Sequence, residues 1–355
     1  MIHPLLAGLG VALPILQAPM AGVSTAALAA AVSNAGGLGA IAIGALGVDA
    51  AQAAIAEVRA RTDRAFNVNV FVHATPTPDP VREAAWIAAL APSFAAVGAQ
   101  PPVALRAIYT SFGDDAGMRA MLLAEAPPVV SFHFGLPDAA TVAAFQARGT
   151  LMLATATSLA EAQAAAAVGI DAIVAQGIEA GGHRGHFDPA APDDALGTLP
   201  LTRLLVRHVE SPIIAAGGIM DGAGIAAALD LGAIAAQLGT AFIGCPESAA
   251  DAAYRAGLAG PGAWHTRMTD RISGRPARAL PGRFDALADT LHTLRPPDYP
   301  IAYDAGKALH VAARSGGESG YGAYWAGQGA PLSRPMPAAA LVATLASELA
   351  IHQAG

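Results

Sequence analysis

The chain has 355 residues, of which 54% are hydrophobic and 13% are charged, and its formal net charge at pH 7 is −7. This acidic balance, without a basic run, argues against nucleic acid or anionic lipid as a partner, so a small molecule is expected. The lone cysteine, Cys245, has no partner for an internal disulfide. Because no Lys or Arg precedes the first apolar stretch, the sequence predicts a cytoplasmic protein without a secretory signal.

The first elements in chain order also argue against a membrane span. The stretch from Ala26 to Val48 is strongly apolar, but Ser33, Asn34 and several glycines interrupt it. An interrupted stretch of this kind predicts a short helix, a turn and a strand. No membrane partner is therefore expected.

Short apolar runs alternate with alanine-rich helical stretches over the first two thirds of the chain, which is typical of parallel βα units with both faces covered. The predicted strands are Pro14 to Met20, Leu38 to Gly44, Phe66 to Val72, Val129 to Gly135, Thr150 to Thr157, Ala172 to Gln176, Pro212 to Gly217 and Ala233 to Leu238. The predicted helices are Ser24 to Asn34, Asp49 to Arg61, Asp138 to Arg148, Ser158 to Val168, Leu201 to His208 and Asp221 to Leu231. Eight such units predict an α/β fold, a (β/α)₈ TIM barrel.

Two regions depart from this alternation. The third connection, from His73 to Pro128, begins with a Pro-rich excursion, and beyond residue 245 Gly, Pro, Arg and Tyr become common. We interpret the later region as a smaller, mostly helical domain inserted after strand 8, which covers the substrate. The predicted organisation is a barrel domain over residues 1–245, the covering domain over 246–330 and a C-terminal helix over 331–355 that returns to the barrel.

The loop after the sixth predicted strand is the most informative feature of the chain. Gln176 to Gly185 contains one imidazole, His183, among four glycines and follows an apolar strand. In TIM barrels, the loops at the carboxyl ends of the strands carry the active site. Glycines allow backbone conformations that other residues avoid and let a flat ligand approach the main chain. His183 is therefore the candidate catalytic residue.

Two glycine turns follow the last two predicted strands, at Gly217-Gly218 and at Gly239-Thr240. In barrels this pair of loops is a frequent phosphate site, because main-chain N–H groups point at the anion. A phosphate site there, beside apolar strand ends, predicts FMN as the cofactor. Amides and glycines at other strand ends suit a flavin ring, and Met20 suits its face. The predicted cofactor-binding residues are Met20, Gly22, Asn69, Gln176, Gly181, Gly217, Gly218, Gln237, Leu238, Gly239 and Thr240.

Taken together, these motifs resemble the class I nitronate monooxygenases, formerly called 2-nitropropane dioxygenases. The resemblance covers nearly the whole chain. It is carried by the segments Gln17 to Ser24, Ala180 to Gly185, Ile214 to Ile219, Tyr299 to Lys307 and Trp325 to Gly329. It implies tightly held FMN, no requirement for NAD(P)H, and His183 as the base when a neutral nitroalkane is the substrate. It also makes propionate 3-nitronate the leading candidate substrate, with dioxygen as the second substrate and detoxification as the expected role.

The chemistry of nitronates agrees with these residues. A nitronate is an electron-rich anion that can give one electron to a flavin, which leaves a flavin semiquinone and a substrate radical that react with dioxygen. A neutral nitroalkane must first lose its α-proton, a step suited to an imidazole. Tyr299, Tyr303 and Lys307 are spaced by four residues, so on a helix they would share one face and could hold an anionic substrate.

Two other functions remain open. One is an NAD(P)H-dependent FMN reductase on the same barrel, such as an enoyl-acyl-carrier-protein reductase or a quinone reductase. The other is a barrel that binds flavin or phosphate without turnover, although such a protein would not need a His in the active loop. The constellation of Tyr299, Tyr303 and Lys307 favours the monooxygenase.

Other histidines and the cysteine are weaker candidates. His133, near the end of the fourth predicted strand, is a candidate substrate-binding residue, although a buried structural role suits it equally. His186 and Asp188 lie close to His183, but no further ligands accompany them, so no metal site is expected. Cys245 has no base beside it in sequence and is not expected to be a nucleophile. The sequence leaves both a monomer and a homodimer open.

Overall fold

The computed structural model describes residues 2–287, 291 and 293–354, and its centre is a parallel β-barrel. The barrel strands are β1 (Ile15–Gln17), β2 (Gly39–Ala42), β3 (Phe66–Phe71), β4 (Val129–His133), β5 (Leu151–Ala156), β6 (Ala172–Gln176), β8 (Ile213–Ala216) and β9 (Ala235–Leu238). They are ordered β1-β9-β8-β6-β5-β4-β3-β2, and a parallel bridge between Leu16 and Leu38 brings β1 beside β2. The predicted TIM-barrel class is confirmed, and each strand lies within its predicted run.

The helices follow the strands as the βα pattern predicts. They are α1 (Pro4–Gly8), α2 (Ala26–Asn34), α3 (Val48–Arg59), α4 (Pro80–Ala96), α5 (Ala116–Glu125), α6 (Ala139–Ala147), α7 (Leu159–Ala167), α8 (Thr198–His208), α9 (Gly222–Asp230), α10 (Thr240–Ile243), α11 (Ala252–Ala259), α12 (Arg283–Ala286), α13 (Ile301–Ser315) and α14 (Ala338–Ala354). Side chains of Thr25, Asp138, Ser158 and Asp221 accept a hydrogen bond from the first turn of α2, α6, α7 and α9 respectively, which fixes where these helices begin. None of the helices described is both long and apolar enough to cross a membrane.

The amino-terminal end of the barrel is filled by apolar side chains. Leu16, Val129, Leu153, Val174 and Ile214 come from five different strands and form one buried cluster, and Leu6 of α1 packs against it. Inward-facing residues of neighbouring strands meet in layers in this way because side chains alternate along each strand. Since this end is packed solid, a ligand must enter from the carboxyl ends of the strands.

Two excursions of the chain meet above those carboxyl ends. Trp86, Leu90 and Phe94 of α4, in the third connection, pack with Ile301 and Leu309 of α13 in one buried cluster. The helices that cover the barrel mouth thus come partly from the third connection. The sequence predicted a covering role for residues 246–330 only.

The region after the last barrel strand contains a small antiparallel sheet as well as helices. Its strands are β10 (Arg267–Thr269), β11 (Ala277–Ala279) and β7 (Gly182–His183), and β7 belongs to the loop after β6. Strands of two or three residues are too short to show a period in the sequence. The predicted boundaries at 245 and 330 remain a prediction, and residues 288–290 and 292 of that segment lie outside the described residues.

The last helix, α14, lies against the barrel helices. Leu341, Val342 and Leu345 are buried with Leu28 of α2 and Ile225 of α9. Leu345 follows Val342 by three residues and Leu341 by four, so the three side chains fall on one face of the helix. Residue 355, the end of the predicted C-terminal segment, is outside the described residues.

Candidate active site

A cavity of about 380 Å³ lies at the carboxyl ends of the barrel strands. Loops of the barrel form the base and one side of the cavity. Helix α13 and the segments packed against it form the opposite side. The predicted site residues that line it are Met20, Gly22, Asn69, His133, Gln176, Gly181, His183, Gly217, Gly218, Gln237, Gly239, Thr240, Tyr299, Tyr303 and Lys307. The structure therefore brings together side chains that lie nearly 290 positions apart in the chain.

Leu238 is placed elsewhere. Successive side chains of a strand point to opposite faces, so Gln237 lines the cavity while Leu238 packs with Ile15 and Phe242 in a buried apolar cluster. The carbonyl oxygen of Leu238 accepts the N–H of Ala18 at 2.8 Å. Its side chain supports the barrel wall and does not line the cavity.

The loop that carries His183 is held by buried hydrogen bonds. The side-chain amide of Gln176 donates to the His183 carbonyl at 3.0 Å and accepts the Gly185 N–H at 2.7 Å. Arg184, whose side chain is 1% exposed, pairs with Asp193 at 2.7 Å and also donates to the Gln176 carbonyl. Bonds buried in this way resist displacement, so the backbone around His183 is fixed before any ligand binds.

The His183 imidazole sits in an aromatic setting. Its Nε2 lies 2.8 Å from Ser273 Oγ, and its ring centroid is 5.0 Å from that of Trp325 and 5.4 Å from that of Tyr299. Desolvation by these neighbours lowers the pKa of His183 to about 3, and the charges of His133 and Arg275 act in the same direction. At neutral pH the ring is therefore uncharged and has a lone pair with which to accept a proton.

His133 lies next to His183 at the base of the cavity. Its Nδ1 is 3.0 Å from Thr155 Oγ1, and its Nε2 is 3.2 Å from the His183 carbonyl oxygen. Burial, followed by the charge of Arg275, lowers its pKa to about 4. His133 thus lines the cavity and contacts the backbone of His183, and its role in binding substrate stays a prediction.

A buried cation stands behind this part of the wall. The Arg275 guanidinium lies 4.3 Å from the centroid of the Phe134 ring, and Arg275 donates to the His186 carbonyl. Phe134 itself has a positive φ of 77°, a strained conformation for a residue with a side chain, and such strain is concentrated at functional sites. It is the backbone carbonyl of His186 that takes part in this contact. Within the described residues, no group of three or more His, Cys, Asp or Glu side chains is arranged to hold a metal ion.

The opposite side of the cavity presents a lysine between tyrosines. Lys307, the single lysine of the chain, has its Nζ 5.1 Å from the ring centroids of both Tyr109 and Tyr303. No carboxylate among the described residues lies within salt-bridge distance of it. Burial lowers the pKa of Lys307 and raises those of Tyr299 and Tyr303, the last to about 12. The phenols are neutral donors and the ammonium is an unpaired cation, so this side suits an anion.

The two glycine turns lie side by side at the cavity wall. Gly217 and Gly218 have positive φ values of 128° and 68°, which only glycine adopts easily. The Glu179 carboxylate accepts the Thr198 N–H at 2.8 Å and the Thr198 hydroxyl at 2.8 Å, and that hydroxyl lies 3.0 Å from the Gly217 carbonyl oxygen. Glu179 and Thr198 therefore connect the loop after β6 to the turn after β8.

These residues fit the predicted FMN. The wall is lined by Gly217, Gly218 and Gly239. These residues have no side chains, so a phosphate can approach their main-chain N–H groups. Among the described residues, the Gln237 amide has no hydrogen-bond partner although it lines the same cavity, so it is available to a polar ring edge. Asn69 donates to Ser131 at 3.0 Å, which leaves its carbonyl oxygen as an acceptor.

Sequence reasoning missed four residues of this site: Tyr109, Ser273, Arg275 and Trp325. All four lie in segments without a strand or helix period, so periodicity does not place them near the barrel mouth. Trp325 lies at the start of the segment Trp325 to Gly329 used for the family resemblance, and that was a signal that could have identified it.

A barrel whose strand ends carry a concave, largely aromatic cavity with a few converging polar groups is the architecture of a small-molecule enzyme. The nitronate monooxygenase family model matches residues 3–348, and the chain belongs to that family. It is 58% identical to a nitronate monooxygenase of Paraburkholderia phytofirmans, over 96% of this chain and 93% of the relative. It is 56% identical to one of Pseudomonas aeruginosa, over 96% and 97%.

Solved structures agree with this relationship. A nitroalkane oxidase from Streptomyces ansochromogenes superposes with a TM-score of 0.89 at 40% identity and covers 99% of both chains. FabK from Thermotoga maritima superposes with a TM-score of 0.75 at 28% identity, over 99% of this chain and 96% of the other. The fold and the family are therefore established together.

Proposed function

We propose that this nitronate monooxygenase family member uses FMN and dioxygen to oxidise alkyl nitronates, with propionate 3-nitronate as the leading substrate, and does not require NAD(P)H. The observation that supports this most strongly is the unpaired Lys307 ammonium, which faces the same cavity as the neutral His183 imidazole. One side of the cavity can hold an anion and the other can create one from a neutral precursor.

For a neutral nitroalkane, the first step is removal of the α-proton by His183. The uncharged ring accepts the proton, and the electron pair of the C–H bond moves into the nitro group to form the nitronate. The imidazolium is disfavoured by burial, but a nitronate formed beside it supplies an opposite charge that stabilises the protonated ring. A substrate that is already a nitronate needs no base.

For the nitronate itself, Lys307 and the tyrosines act by binding and orientation. The ammonium supplies the charge, and the phenols of Tyr299 and Tyr303 can donate hydrogen bonds to the anionic oxygens. The aromatic rings exclude water from the reacting carbon, which strengthens these electrostatic interactions. This arrangement favours a small anionic substrate over a large or cationic one.

The cofactor would be held by the residues on the barrel side. Gly217, Gly218, Gly239 and Thr240 would take the phosphate, while Asn69 and Gln237 would contact the ring edge and Met20 the ring face. A bound FMN would supply the one-electron redox chemistry between the nitronate and dioxygen that the side chains of this site lack.

An oxygen-electrode assay tests this function directly. Purified protein should be yellow, should release FMN on denaturation, and should consume oxygen when propionate 3-nitronate is added without NADH. NADH should leave the rate unchanged. Release of FAD, or no oxygen consumption with any short nitronate, would overturn the proposal.

A second candidate, an NAD(P)H-dependent reductase, is kept because of the structural likeness to FabK at 28% identity. Anaerobic mixing with NADH separates the two functions. Rapid bleaching of the flavin would support the reductase, whereas the proposed monooxygenase should keep its oxidised spectrum until nitronate is added.

A further inference from the structure

Ser273 is a fully buried residue in the turn between β10 and β11, and both neighbours of its hydroxyl are polar. Its Oγ lies 3.1 Å from the Arg275 carbonyl oxygen and 2.8 Å from His183 Nε2. A serine hydroxyl has one proton to donate, and a carbonyl oxygen can only accept. When the hydroxyl donates to the Arg275 carbonyl, its oxygen must accept a hydrogen bond from the Nε2–H of His183.

This chain of two hydrogen bonds determines which nitrogen of the ring is free. With its proton on Nε2, the neutral His183 ring has its lone pair on Nδ1. Nδ1 has no hydrogen-bond partner among the described residues and is not a fully buried atom, and His183 lines the cavity. The accessible nitrogen is therefore the one that carries the lone pair.

We propose that Ser273 is a positioning residue that fixes the tautomer of His183 and leaves Nδ1 as the atom that takes the substrate proton. This inference rests on the proposed nitroalkane chemistry. In that step the Cα–H bond breaks, its electron pair moves into the nitro group, and the proton bonds to Nδ1. The ring becomes an imidazolium whose Nε2–H remains bonded to Ser273.

The partner of the imidazole is neutral here, in contrast to the carboxylate that orients the His of a Ser-His-Asp triad. A neutral hydroxyl orients the ring without stabilising its positive charge as a carboxylate would. The other groups facing His183 are His133, Tyr299, Tyr303 and the buried Arg275 cation, and none of them is an anion at neutral pH. Ser273 therefore sets the orientation and the tautomer of the His183 ring and does not stabilise its positive charge.

Nuclear magnetic resonance of nitrogen-15 histidine in the FMN-bound protein tests the tautomer without any turnover. The His183 signals are assigned by their loss in His183→Asn. At neutral pH the wild type should show a protonated Nε2 and an unprotonated Nδ1. A wild-type ring with its proton on Nδ1 would overturn the proposal on its own, even if no Ser273 variant folds.

Two variants and a control complete the test. Ser273→Ala should give averaged signals from both tautomers, and Ser273→Thr, which keeps the hydroxyl, should restore the wild-type pattern. Ser33→Ala removes another buried serine hydroxyl, bonded to the Ala65 carbonyl at 2.8 Å. It should leave the His183 signals unchanged, which separates a local effect from a general loss of stability.

Kinetics supply the second measurement. Ser273→Ala should lower kcat for a neutral nitroalkane about tenfold more than for its nitronate, the effect expected from losing one orienting hydrogen bond. Unchanged tautomer signals in Ser273→Ala with FMN bound would overturn the proposal. A fixed tautomer in a protein that turns over neither substrate would instead refute the proposed function and leave the positioning role standing.

Discussion

The two sides of the cavity are built by different means. On the barrel side, His183 is fixed by a network of buried hydrogen bonds from Gln176, Arg184 and His133. On the side of α13, Lys307 is held by the faces of Tyr109 and Tyr303, and no hydrogen bond of its Nζ to a described residue accompanies them. Fixed hydrogen bonds suit a reaction that needs one atom in one place, whereas aromatic faces tolerate anions of different shape.

The barrel side should be the more sensitive to substitution, and Gly218→Asp tests this with the largest expected effect. The residue has a φ of 68°, and an added Cβ would lie 3.2 Å from Glu179 Cβ. A carboxylate there would also repel the phosphate, so FMN content should fall nearly to zero.

Gly98→Asp is the matched control for that experiment. Gly98 has a similar φ of 71°, but an added Cβ would meet nothing within 4 Å, and the residue is remote from the cavity. The Gly98→Asp variant should keep its FMN. Equal flavin loss in the two variants would mean that backbone strain, and not a phosphate site, explains the result.

His183→Asn has the next largest effect. A general base contributes about 10² to 10⁴ in rate, so kcat/KM for a neutral nitroalkane should fall by roughly that factor while nitronate oxidation is largely kept. The ratio of the two rates is the measurement. His208→Asn, at the exposed end of α8, serves as the control. Equal loss on both substrates with FMN still bound would show that His183 positions substrate or flavin instead.

Lys307→Met tests the opposite side. Loss of the ammonium should raise KM for an anionic nitronate about tenfold, the effect of roughly 1.4 kcal/mol of charge interaction, and should leave KM for a neutral nitroalkane nearly unchanged. Arg106→Met, at an exposed surface position, is the control. A similar rise for both substrates would remove the electrostatic role.

The pH dependence of nitronate binding should follow the same lysine. Burial disfavours the charged form, so the pKa of Lys307 is lowered from 10.5 and the ammonium is lost at a lower pH than in free lysine. As the pH is raised, KM for the nitronate should therefore begin to rise before pH 10.5 is reached. The chain has one lysine, so carbon-13 reductive methylation labels only Lys307 and the terminal amino group. The titration of Lys307 can then be followed directly. A midpoint at or above 10.5 would contradict this expectation.

Tyr109→Ala has the smallest expected effect. It removes one of the two rings beside the ammonium, which costs about 0.5 to 1 kcal/mol, so KM for a nitronate should rise about two- to fivefold. Tyr109→Phe keeps the ring and should show little change. If the Phe variant is as impaired as the Ala variant, the hydroxyl and not the ring face is the functional group.

The barrel side could be predicted from the sequence because its signals are local. Each strand is an apolar run, and the glycines of Gln176 to Gly185 and Gly217-Gly218 follow directly after those runs. Strand ends meet at one edge of a parallel barrel, so residues far apart in sequence could be assigned to one site. Gln237 and Leu238 are adjacent on β9, and alternation along the strand places only the Gln237 side chain at the cavity.

The other side could be predicted only in part. The four-residue spacing of Tyr299, Tyr303 and Lys307 is a helical signal, but Tyr109 lies in an irregular segment of the third connection. Its position depends on how α4 packs against α13. Ser273 was out of reach for the same reason, since its contact with His183 joins residues 90 positions apart.

The strand β7 gives the active loop a second attachment. His183 pairs with Ala277 and Gly182 with Arg278, so the candidate base is itself a member of the sheet formed with β10 and β11. A residue within a ladder of hydrogen bonds moves with its partner strand. The position of the imidazole is therefore set by the hairpin of β10 and β11 as well as by the barrel, so a substitution that shifts this hairpin should also shift the base.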